Sequence, residues 1–94
     1  MAIYERRVST FSKLMDEVES LDADAGIRLE GRYAGKRCYV FVTRSPAGYA
    51  VMVYRRDGRF IESDRLFAGE FESARTLGEF LKGMTCRPFR AYVY

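Results

Sequence analysis

Polar and apolar positions alternate in three runs, 27–33, 36–44 and 49–56, each bounded by turn residues, and strict alternation marks a half-buried strand. Ala34-Gly35 serves as a two-residue connection, which sets Tyr33 opposite Lys36, Gly31 opposite Cys38, Leu29 opposite Val40 and Ile27 opposite Val42. Ser45-Pro46-Ala47-Gly48 pairs Arg44 with Tyr49 whether two or four residues form the loop. It registers Val42 with Val51, Val40 with Val53, Phe41 with Met52 and Tyr39 with Tyr54. Both hairpins sort the side chains alike. One face collects Ile27, Leu29, Val40, Val42, Val51 and Val53; the other collects Arg28, Arg32, Arg37, Tyr39, Phe41, Met52, Tyr54 and Arg56. A slip of one residue would exchange the faces, so the agreement of two turns with one polarity pattern carries the assignment.

Other periods flank these strands. Val8, Phe11, Leu14, Met15, Val18 and Leu21 recur every three or four positions after Ser9 or Thr10, predicting an amphipathic helix over 9–21, with Gly26 as a left-handed cap beyond it. Asp57-Gly58 is the strongest turn signal. A three-residue loop there sets Val53 opposite Ile61 and Tyr54 opposite Phe60, which adds Phe60 to the aromatic face and places a fourth strand from about Arg59 to Ser63, with Phe67 as its outer limit. Phe67, Phe71, Ala74, Leu77, Leu81 and Met84 step through a second helix over 70–82, stopped by Gly83. After Pro88 the alternation of Phe89, Ala91 and Val93 with Arg90, Tyr92 and Tyr94 predicts a final strand. The expected fold is a single α+β domain over 1–94. It is a four-stranded antiparallel meander with an N-terminal and a C-terminal helix packed on its aliphatic face, plus a short C-terminal strand.

Charge adds a direction to this picture. Residues 8–24 carry a net charge of −4 and residues 25–65 a net charge of +5, so the first helix is acidic and the sheet basic. A polyanion would be drawn to one side of such a molecule. Thirteen of the sixteen basic residues are Arg, whose planar guanidinium favours bidentate and stacked contacts. No segment has the roughly 18 consecutive apolar residues of a membrane helix. The charged stretch Met1 to Val8 lacks the apolar run of a signal peptide, so a soluble, cytoplasmic protein without membrane partners is expected.

The chain contains no His, which removes the commonest general base, and no Gly-rich phosphate loop, nucleophile elbow or paired Cys motif. Cys38 falls on the aliphatic face as a buried thiol; Cys38 and Cys86 have no metal-ligand spacing. The expectation is a non-enzymatic binding module with no cofactor, no metal and no catalytic residue. Its candidate site is Arg28, Arg32, Arg37, Tyr39, Phe41, Met52, Tyr54, Arg56 and Phe60. Single-stranded DNA or RNA needs aromatic platforms for its bases beside cations for its backbone, and this face supplies both. A protein partner or a homodimer would use the same side chains, which are enriched at interface centres. The third reading has Phe89 and Tyr92 fold over the rings and bury them. Arg37, Tyr39, Phe41 and Val42 fall as in the RNA-recognition-motif signature, but Cys38, Val40 and Arg44 break it and the element order differs. The meander followed by a helix over 27–83 resembles in outline the PUR and Whirly single-strand binders, in order of elements alone.

Overall fold

The structure is a computed structural model and describes residues 5–94. Its elements are β1 (Arg6–Val8), α1 (Phe11–Glu19), β2 (Gly26–Tyr33), β3 (Lys36–Ser45), β4 (Gly48–Arg55), β5 (Arg65–Phe71), α2 (Ala74–Lys82) and β6 (Thr85–Val93), with a 3-10 turn at Glu62–Asp64. All strands join one antiparallel sheet in the order β1-β6-β2-β3-β4-β5. The sheet has six strands where four were expected in its meander: β2 to β5 follow one another as neighbours, and β6 and β1 extend the sheet beyond β2.

The two central hairpins carry the predicted register. Tyr33 pairs with Lys36 and Ser45 with Gly48, so each connection is two residues long. Ala34 and Gly35 have φ of 52° and 79°, the left-handed pair that a tight hairpin matching the strand twist requires. Val40, Val42, Val51, Val53, Ile27 and Leu29 are fully buried in one cluster with Leu14 and Val18 of α1 and Leu77 and Leu81 of α2. Each such side chain contributes roughly 1.5–3 kcal/mol on burial, which is why the aliphatic face draws both helices onto it.

Several expectations are corrected. Helix α1 starts at Phe11, behind Thr10, whose hydroxyl accepts from the Lys13 amide at 3.2 Å. Val8 belongs to the edge strand β1, opposite Ala91. Gly26 is no cap: it opens β2 and exchanges backbone hydrogen bonds with Tyr94 at 3.1 and 2.9 Å. The fourth strand is Arg65–Phe71, which pairs Val53 with Phe67 and Tyr54 with Arg65, so Ile61 stays outside the core at 54% exposure. Helix α2 accordingly starts at Ala74, where the Ser73 hydroxyl accepts from the Thr76 amide at 3.2 Å. Phe67 and Phe71 fit both a helical and an alternating pattern. The strand prevails because it completes the β4 edge and delivers both rings to a cluster with Tyr33 and Phe80, with centroids 4.7–6.4 Å apart.

Strand β6 begins earlier than predicted, at Thr85. Glu30 pairs with Arg90 and Gly31 with Thr85, so residues 86–89 bulge out of the ladder between them. Pro88 sits in that bulge, where its missing N–H costs no ladder bond. No helix among the described residues is long and apolar enough to cross a membrane. The segment Met1 to Val8, read above for a signal sequence, lies partly outside the described residues.

Candidate functional site

Register alone assembles the face opposite the helices. One row across the sheet runs Arg7, Tyr92, Arg28, Phe41, Met52 and Ala68; the next runs Arg90, Glu30, Tyr39, Tyr54 and Arg65. Among the described residues no helix lies on this side. The C-terminal segment does not fold over the rings: β6 extends the sheet and contributes Tyr92 and Arg90 to the same surface.

The centre of the face is aromatic. Tyr39, Phe41, Tyr54 and Phe60 have ring centroids 5.5–6.4 Å apart, mostly edge to face, an arrangement the ring quadrupoles favour. Phe60 was expected in a strand opposite Tyr54. It reaches the cluster from the 56–64 loop, at φ 60° and 44% exposed. A bulky side chain in the left-handed region costs of order 1–3 kcal/mol and persists only where its surroundings hold it. The holder is Asp64. Its carboxylate accepts from the Arg55 guanidinium at 2.6 Å and from the Arg59 amide at 2.7 Å. These two donors, Arg55 first, keep the carboxyl below its ordinary pKa.

Around the rings stand the arginines, in two groups. Arg28 and Arg56 are fixed. The Arg28 guanidinium lies 4.6 Å from the Tyr92 centroid and 5.4 Å from that of Tyr39, with Glu5 at 3.1 Å; Arg56 lies 5.3 Å from Tyr39 and 3.2 Å from Glu30. Arg32, Arg37, Arg87 and Arg90 carry no salt bridge among the described residues. Two adjoining depressions follow. A cleft of about 600 Å³ lies between Lys36, Arg37, Tyr39, Arg55, Arg56 and Asp57. A smaller cavity of about 180 Å³ shares Arg37 and Arg56 with it and is closed by Arg32, Arg90 and the 86–88 bulge. Cations and rings are therefore contiguous.

The structure thus brings all nine candidate residues to one surface, with Arg28 in a structural role between two rings. Sequence reasoning missed Lys36, Tyr92, Arg87 and Arg90. Tyr92 and Arg90 had a signal, their alternation with Ala91 and Val93, but which edge the last strand joins is not a local property. Cys38 is buried as expected and unpaired, its thiol pushed up to about 11 chiefly by desolvation. Cys86 is a half-buried free thiol whose Sγ lies 3.7 Å from the Glu30 carbonyl. Among the described residues no three His, Cys, Asp or Glu side chains are placed to hold a metal ion. No protein-family model, curated protein or solved structure matches the chain.

Proposed function

We propose that the protein binds single-stranded nucleic acid on the open face of the sheet, as a binding module and not as an enzyme. The observation that carries this reading is the contact between a half-buried aromatic cluster, topped by the exposed Phe60 ring, and a groove in which Arg32, Arg37, Arg87 and Arg90 have no salt bridge among the described residues. Bases can stack on the Phe60 ring and on the Arg56 guanidinium that lies over Tyr39. Phosphates can follow Lys36 and Arg37 along the larger cleft. Each feature alone has a plain structural explanation; their adjacency on one surface supports a ligand with both bases and phosphates.

Fluorescence anisotropy with labelled single-stranded DNA and RNA of mixed sequence tests the proposal. Affinity is expected to show little sequence preference and to fall as salt rises. Arg37→Ala should weaken binding and reduce the salt slope by about 0.7, the counterion release of one phosphate contact on a single strand. Phe60→Ala or Tyr54→Ala should lose on the order of 1–3 kcal/mol, the worth of a stacked base, with the slope unchanged. No binding at low salt to either nucleic acid would transfer the surface to protein contact, for which the exposed apolar side chains of Met52, Phe60 and Ile61 are suited.

A further inference from the structure

The small cavity at the β2, β3 and β6 end of the face has properties that stacking on the rings does not use. Arg32 and Arg37 are direct cross-strand partners, an arrangement of like charges that destabilises a hairpin. The bulge in β6 adds Arg87 to the same spot, and Arg90, paired with Glu30 where the ladder resumes, joins it. None of the four has a salt bridge among the described residues, and a single carboxylate, Glu30, faces the cavity, 9% exposed and already engaged by Arg56 at 3.2 Å. A volume of about 180 Å³ falls below the roughly 300–1,000 Å³ of sites for drug-sized ligands, so it suits a compact anion. A backbone diester carries one negative charge and two unesterified oxygens. Four uncompensated guanidiniums match a group with more of both.

We propose that this cavity is a subsite for a terminal phosphate, the dianionic monoester at the end of a single strand whose bases lie on the aromatic cluster. The inference rests on the single-strand reading and deepens it. Its geometry follows from the shared walls. Arg37 and Arg56 border both depressions, so a strand running along the larger cleft reaches the smaller one next, and the β6 bulge closes that end. The monoester would bridge Arg32 and Arg37 and remove their repulsion. It would receive forked donors from Arg87 and Arg90 across the cavity.

The test uses the full chain and one labelled oligonucleotide sequence in three forms, with a 5′-phosphate, with a 3′-phosphate, and with hydroxyls at both ends. One phosphorylated form is expected to bind at least about tenfold tighter than the hydroxyl form, the gain of charge-assisted hydrogen bonds to a second anionic charge. The double variant Arg87→Gln/Arg90→Gln, shown folded by its thermal melt, should bind all three forms alike. Equal affinities of the unaltered chain for the three forms overturn the subsite and leave the single-strand reading standing. A second arm reads the cavity without any strand. Cys86 lines it while Cys38 is fully buried, so alkylation by iodoacetamide reports Cys86. Adenosine monophosphate should slow that alkylation several-fold at constant ionic strength, and adenosine should not. If no oligonucleotide binds, the single-strand reading fails; protection by the monophosphate then keeps the cavity as a phosphate-monoester site, and its absence overturns that as well.

Discussion

Gly31 and Gly78 are both buried, yet their replacement should move stability in opposite directions, because what stands beside them differs in stiffness. A Cβ on Gly31 would meet the Met84 backbone carbonyl, which is held in a hydrogen bond from the Arg32 amide at 2.9 Å. That oxygen cannot retreat without breaking the ladder. A Cβ on Gly78 would come within 2.8 Å of Met15 Cε, the free end of a flexible side chain that can swing aside. Gly31→Ala is expected to cost about 1–3 kcal/mol, as other insertions into filled space do. Gly78→Ala should be neutral or gain up to about 1 kcal/mol from helix propensity. Urea unfolding of the two variants checks both signs. Equal destabilisation would mean that Met15 is locked and that the two helices touch through a rigid contact. Neither neighbour could be read from the sequence, where both residues are simply glycines inside periodic segments.

At the scale of elements, the 56–64 loop links fold and site. The sequence shows its turn at Asp57-Gly58 but not its length, because a three-residue loop that sets Val53 opposite Ile61 already kept the core apolar on local grounds. Phe67 prevails over Ile61 opposite Val53 because it joins the rings of Tyr33 and Phe80, which lie in other elements, beside Phe71 of its own strand. Asp64 then fixes the loop that presents Phe60. Its depressed carboxyl pKa stabilises the fold above the unfolded value, and this contribution is lost as pH falls through the folded value. Glu17, held down by Arg6, acts in the same sense. Melting temperature should therefore decline below the ordinary carboxylate range. Asp64→Asn should be less stable at neutral pH and show a shallower acid decline. The same variant should weaken binding to single strands, since Phe60 would no longer be held at its positive φ. Unchanged affinity with a displaced Phe60 ring, seen by NMR, would remove that residue from the site.

For the molecule as a whole, two sheet faces with different chemistry define its polarity. The acidic first helix covers one side, and the open side gathers the arginines. Two copies meeting through the open face would bring Arg32, Arg37 and Arg90 of one against those of the other, an unfavourable juxtaposition of like charges. The protein is therefore expected to sediment as a monomer at all concentrations at moderate salt. A dimer that Phe41→Arg converts into a folded monomer would instead assign the rings to self-association. A standard interface of roughly 1,200–2,000 Å² sets the scale of what such contact would bury.

The sequence by itself determined the two hairpins and their faces. Strand period, turn length and polarity are all local, and each pointed to the same sorting of Val40 against Tyr39 and of Val53 against Tyr54. It determined the existence of both helices for the same reason, and it placed most of the aromatic and arginine residues on one surface. Tertiary structure alone decided where the chain ends join. Val8 and Ala91 meet at a sheet edge, β6 pairs along β2 with Arg90 opposite Glu30, and a four-residue bulge carries Arg87 to the cross-strand pair of Arg32 and Arg37. Those contacts span more than fifty residues of chain, and no periodicity encodes them. They form because an unpaired β2 edge and a half-covered aliphatic face leave backbone donors and apolar area that only the remote segments can satisfy.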